Sequence, residues 1–202
     1  DVIADIMTSR EKYKKKMLGS QEKGLARRTK LDEFTSSNIW INVFYAIHTF
    51  EVDFIMAENI NEVIKLCDVV YTEPTTLETS KSDIQSGDVS LYGKRILTMA
   101  NNQGKGWFSI LLSGELTFKT KIPKYILDSL LFLGAISNKN ILINIIRYRI
   151  KCYNNEDGTL NFRSVRKSLR EYKSNECNLD NVIEKLNNII PNDQIIYILK
   201  NI

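Results

Sequence analysis

The spacing of apolar positions along this chain changes period several times. Ile39-Trp40-Ile41-Asn42-Val43-Phe44-Tyr45 is short, β-branched and aromatic, and it follows a Ser36-Ser37-Asn38 turn signal. It predicts a buried strand, closed by His48-Thr49-Phe50-Glu51. Helical spacing takes over across Val52–Leu66, with Phe54 and Ile55, then Ile60, Val63 and Ile64. Residues 71–90 are rich in Thr, Ser, Asp and Glu and read as a polar loop with the composition of a disordered segment. A second helix is predicted over Leu91–Ala100. A tight polar turn at 101–106 and an amphipathic helix over Trp107–Leu116 come next. Pro123 suits the first position of a helix reaching Gly134, since its missing N–H is not needed there.

Asn138–Tyr153 is strongly apolar and fits helix or strand, with helix preferred. A turn at 154–158 marks a boundary. Three short amphipathic helices follow: Phe162–Lys173, Leu179–Ile189 and Asn192–Lys200. Residues 8–34 are polar, basic and weakly periodic, and read as a helix with a mobile connection. No repeat period appears.

Charge alters this picture in one place. From Arg10 to Lys30 nine basic residues face two acids, a local +7 that leaves −3 for the rest of a chain whose net charge is +4. On one face, such a cluster would neutralise phosphates and release counterions; a solvated helix face accounts for it equally well. The three cysteines are far apart, which excludes CxxC zinc spacing and argues against a disulfide framework, so a reducing cytoplasm is expected. No secretory leader and no membrane-spanning apolar run is expected. The chain opens in mid-pattern without an initiator Met, as a fragment of a longer protein would.

Three groups of residues carry candidate chemistry. Gly104-Lys105-Gly106 sits at a predicted helix start. It fails as a P-loop, because Met99 stands where the first glycine belongs and Gly106 replaces the magnesium-binding Ser or Thr. Its glycines would still let backbone N–H groups approach an anion, and Lys105 would add a full charge. Otherwise it is a tight turn with a solvated lysine.

Glu51 lies at the end of the predicted strand, where carboxylates of α/β folds project into ligand crevices, and it could hold a divalent metal. Alternatively Thr49 caps a helix and Glu51 and Asp53 enrich its first turn. His48 is the only histidine, and no GxSxG elbow accompanies it, which disfavours a hydrolase triad. The third group is the basic face of Phe162–Lys173, with Arg163, Arg166, Lys167, Arg170 and Lys173. It fits a nucleic-acid backbone or, preferably, the outer face of a small bundle.

The order of these pieces resembles the C-terminal end of OLD-family (overcoming lysogenization defect) nucleases. In those, a strand ending in Thr-Leu-Glu or Thr-Phe-Glu leads into a helix, here Ile39–Leu66. A Lys-Gly-x-Phe-Ala helix follows, here Gly104–Ser113, then an Ile/Val-Pro-x-Tyr-Ile helix, here Ile122–Leu130. The resemblance covers residues 39–134.

It implies an α/β fold: the back half of a Toprim domain over residues 1–137, followed by a helical C-terminal domain over 138–202. It further implies metal-dependent phosphodiester hydrolysis with Mg²⁺ or Mn²⁺ in bacterial defence against phage. Glu51 matches a metal-holding acid, and Lys105 matches the lysine that stabilises charge on the scissile phosphate. Arg27, Arg28 and Lys30 lie in the basic insertion that would position DNA. The implied partners are DNA, an ATPase domain or subunit that alone would use ATP, and further copies in a homo-oligomer, with no membrane.

Two departures stand out. The first glutamate and the Asp-x-Asp pair of such sites are not found in Asp1-Val2-Ile3-Ala4-Asp5, and Ser109 replaces the usual Ala. Two other functions therefore stay open: a catalytically inactive assembly or sensor module, and a nucleic-acid-binding module without hydrolysis.

Overall fold

The computed structural model describes residues 11–134 and 138–202. The described residues form eleven helices and no strand. In chain order these are α1 (Glu11–Thr35), α2 (Phe50–Met56), α3 (Ile60–Val70), α4 (Pro74–Gln85), α5 (Val89–Gln103) and α6 (Lys105–Glu115). Then come α7 (Lys124–Phe132), α8 (Lys139–Glu156), α9 (Arg163–Lys173), α10 (Leu179–Asn187) and α11 (Gln194–Lys200). The chain divides into two compact units, Asp1–Ile126 and Leu127–Ile202. No helix among the described residues is long and apolar enough to cross a membrane.

The expected α/β fold is therefore corrected: no part of a Toprim sheet is present among the described residues. The segment Ile39–Tyr45 has the composition of a strand but forms no ladder, and Ile39 and Trp40 are 81% and 84% exposed. Its residue types favour extended backbone, yet a strand is stable only when neighbours take up its N–H and C=O groups and cover its apolar side chains. No second strand exists among the described residues to do so.

Two further expectations change. Residues 71–90 are not a loop. Pro74 sits in the first turn of α4, and the Glu73 carboxylate accepts from the N–H groups of Thr75 (3.0 Å) and Thr76 (2.5 Å). Asp88 caps α5 by accepting from Ser90 N–H at 2.8 Å. The predicted helix Val52–Leu66 is broken at Glu58, whose φ of 71° is left-handed and separates α2 from α3.

In the first unit, α3 buries Val63, Leu66 and Cys67, and α5 buries Tyr92, Ile96, Met99 and Ala100, each at i, i+3/i+4 spacing. Val52, Phe54 and Ile55 of α2 and Phe108 and Leu112 of α6 complete the same core. Arg95 donates to Asp83 at 2.9 and 2.5 Å, tying α5 to α4.

In the second unit, α8 contributes Leu142, Ile143, Ile146 and Ile150 to a separate core, joined by Val165, Leu169, Val182, Leu186, Ile195 and Leu199. Asp193, whose side chain is fully buried, organises one end of that core. It accepts from Arg149 Nε (2.8 and 3.1 Å) and from the Tyr153 hydroxyl (2.6 Å). It also caps α11 by accepting from Ile195 N–H at 2.8 Å.

Candidate active site

α2 begins at a Thr49 cap in extended backbone (φ −77°, ψ 160°), which places Glu51 and Asp53 in its first turn. The positive end of the helix dipole favours acids there. Asp53 turns back on the preceding segment: its two carboxylate oxygens accept from the N–H groups of Ile47 and His48, each at 3.0 Å. The chain leading into α2 is thereby clamped, and Glu51 is held in a fixed position. Both residues are buried.

Lys105 reaches Glu51 from another helix start. Gly104 separates α5 from α6 with φ 80° and ψ 132°, a conformation that a side chain resists. The sharp change of direction puts Lys105 in the first turn of α6. Its ammonium lies 3.3 Å from Glu51 Oε1, with the lysine side chain 66% exposed and the glutamate side chain 8% exposed. A lysine at a helix N-terminus opposes the dipole, and the carboxylate beside it offsets that cost.

Burial pushes the Glu51 carboxyl up. Hydrogen bonds from its own backbone N–H and from Thr49, with the charge and hydrogen bond of Lys105, outweigh burial and hold it below the ordinary range.

Two tyrosines and an asparagine complete the surroundings, and none of them stood out in the sequence as a functional residue. Burial raises the Tyr125 phenol, and the charges of Asp53 and then Glu51 raise it further. Burial likewise raises Tyr92, with Asp88 and Asp53 adding to it. Buried Asn59 positions the chain that leads to Tyr125. Its amide donates to the carbonyls of Phe54 (2.9 Å) and Lys121 (2.7 Å), and its oxygen accepts from Lys121 N–H at 2.7 Å. Beside it, the Thr120 hydroxyl donates to Glu62 at 2.8 Å. The position of Tyr125 in the Pro-x-Tyr motif was the one available signal.

As a metal centre the arrangement falls short by itself. Mg²⁺ takes about six oxygen ligands in near-octahedral geometry. The described residues contain no group of three or more His, Cys, Asp or Glu placed to hold an ion. Glu51 supplies one carboxylate and already has an ammonium against it, so these residues alone do not fit Mg²⁺ or Mn²⁺.

The three expected DNA-contacting residues lie on α1, all exposed. Arg28 is held locally: its guanidinium stacks 4.5 Å from the centre of the Tyr45 ring and lies 3.7 Å from Asp32. The Tyr45 hydroxyl in turn donates to Asp32 at 2.9 Å. Arg27 and Lys30 have no such partners among the described residues. With Lys23 they fall at i, i+4 and i+7, one basic stripe along the helix.

Comparison with models of known protein families, with curated proteins and with solved structures gave no match to this chain.

Proposed function

We propose that this chain is part of a metal-dependent DNA endonuclease of the OLD type, acting in bacterial defence against phage. Lys105 and Glu51 are its contribution to phosphodiester hydrolysis. One observation carries the reading: Lys105 and Glu51, on different helices, meet at 3.3 Å at the surface of the first unit. The carboxylate anchors a lysine whose ammonium remains mostly in solvent, where it can meet a phosphate oxygen. A charge already in place when negative charge develops on the phosphate lowers the barrier without reorganisation. The Arg27–Lys30 stripe supplies sequence-independent contact with the DNA backbone. Further metal ligands come from another polypeptide segment or subunit, together with the ATPase.

The test is plasmid nicking by the assembly containing this chain, in Mg²⁺ or Mn²⁺, beside Glu51→Ala and Lys105→Ala. Loss of cleavage by about 100-fold or more in Lys105→Ala, with folding retained, is the expected outcome for a group that stabilises transition-state charge. Undiminished nicking by both variants would sink the assignment.

The exposed Ile39, Trp40 and Ile47 favour a second reading, an assembly module that docks a partner strand without hydrolysis. In that case no nicking occurs, while Trp40 fluorescence shifts on mixing with the ATPase component.

A further inference from the structure

The second unit carries a basic cleft of about 600 Å³ between α8 and α9. Arg147, Lys151, Asn154 and Asn155 line it from α8, and Arg166 and Arg170 line it from α9, over a floor of Ile150 and Leu169. Arg147 and Lys151 are an i, i+4 pair, and so are Arg166 and Arg170. Each pair therefore repeats about 6 Å along its helix, at 1.5 Å per residue, a step comparable to that between neighbouring phosphates of a strand.

All four cations are exposed, and among the described residues none of them lies within ion-pair distance of a carboxylate. The neighbouring cations are used differently: Lys167 lies 3.6 Å from Glu171, and Arg149 is taken by Asp193. Four like charges gathered in one concave site repel each other and raise the cost of the folded state. A polyanion in the cleft removes that cost.

We propose that this cleft binds the phosphodiester backbone of a nucleic-acid strand, independently of base sequence. The two cation rows would each follow phosphates along the strand, and Asn154 and Asn155 would add neutral donors. No aromatic side chain lines the cleft, so bases gain no stacking platform there, and the recognised feature is the backbone charge. The site lies in a different unit from Glu51 and Lys105 and needs neither metal nor cleavage.

Binding of this chain to a fluorescein-labelled 30-nucleotide single strand is measured by anisotropy in EDTA, across a salt series. Variants are Arg147→Gln/Lys151→Gln, Arg166→Gln/Arg170→Gln and, on α1, Arg27→Gln/Lys30→Gln. For single-stranded DNA the slope of log K against log salt falls by about 0.7 for each phosphate that the protein ceases to neutralise. Each cleft pair should therefore flatten the slope by about 1.4, with unchanged circular dichroism and equal effects on poly-dT and mixed sequence. Unchanged slopes in both cleft variants, or weakening confined to the α1 variant, would overturn the proposal. So would polyglutamate competing as well as DNA at equal charge, since the cleft would then take any acidic polymer. Nicking is not read in this assay, so failure of the cleavage reading leaves its result intact.

Discussion

Replacing Asp193 with Ala would strip the second unit of its buried carboxylate. Three groups lose an acceptor at once: the Arg149 guanidinium, 18% exposed, the Tyr153 hydroxyl, and the Ile195 N–H at the start of α11. Breaking a buried ion pair by removing one partner costs about 3–5 kcal/mol when nothing else takes up the remaining charge, an upper bound here because Arg149 keeps other contacts and some solvent. Losing a helix cap costs about 1 kcal/mol. A small domain holds only about 5–15 kcal/mol in total, so Asp193→Ala removes a large share of it. Asp193→Asn keeps one acceptor oxygen, enough for the α11 cap, while its NH2 replaces the oxygen that faced the Tyr153 hydroxyl, which can turn to accept from it. With the charge and one acceptor lost, about 1–3 kcal/mol is expected. The double variant Asp193→Ala/Arg149→Met removes both charges and should recover part of the loss.

Both tryptophans, Trp40 and Trp107, belong to the first unit. The assay is therefore hydrogen exchange at the amides of α8 and α11 in increasing urea, which reads the second unit alone. Equal losses in Asp193→Ala and Asp193→Asn, within about 0.5 kcal/mol, would refute the stranded-charge reasoning. So would a double variant no more stable than Asp193→Ala.

Two further outcomes are expected. Gly104→Ala forces a side chain into a positive-φ position, which costs about 1–3 kcal/mol, and it turns Lys105 away from Glu51. Thermal melting and nicking should both fall, and a variant with native melting would show that the turn tolerates a Cβ. Acid should weaken α4. Hydrogen bonds from Thr76 and Thr75 hold the Glu73 carboxyl down to about 2, against 4.5 when unfolded. A carboxylate depressed in the fold stabilises it fully above the unfolded value, and that contribution vanishes as pH falls towards 2. Exchange protection of α4 should therefore fade across that window in the wild type and be weak at every pH in Glu73→Gln.

Much of the helical content was legible because burial on one face leaves a period in the sequence. Phe162–Lys173 was read almost to its observed ends, Arg163–Lys173, and Trp107–Leu116 lies within two residues of α6. α4 escaped because its sequence has little apolar periodicity; Glu73, Pro74 and Asp88 define its limits by capping instead. Ile39–Tyr45 misled for the opposite reason. Its residue types favour extended backbone, and nothing local records whether a neighbouring strand exists to receive it.

At the site, Glu51 and Lys105 were each visible as an acid and a lysine beside turn signals. Their approach depends on the left-handed turns at Glu58 and Gly104 and on the packing of α2, α5 and α6, none of which leaves a pattern in the sequence. Asn59 acts through a partner distant in sequence and left no signal, Tyr125 showed only as part of the Pro-x-Tyr motif, and Asp53 showed as a first-turn acid but not as the clamp on Ile47 and His48.

The pairing of Glu51 with Lys105 is best tested by neutralising both groups together. Glu51→Gln/Lys105→Met keeps the shape of each side chain and strands no charge, so a pair serving structure alone would keep both stability and activity. The account predicts a melting temperature close to wild type and nicking reduced by about 100-fold or more. Wild-type nicking by this double variant would contradict it and leave the ion pair as a strut between two helices.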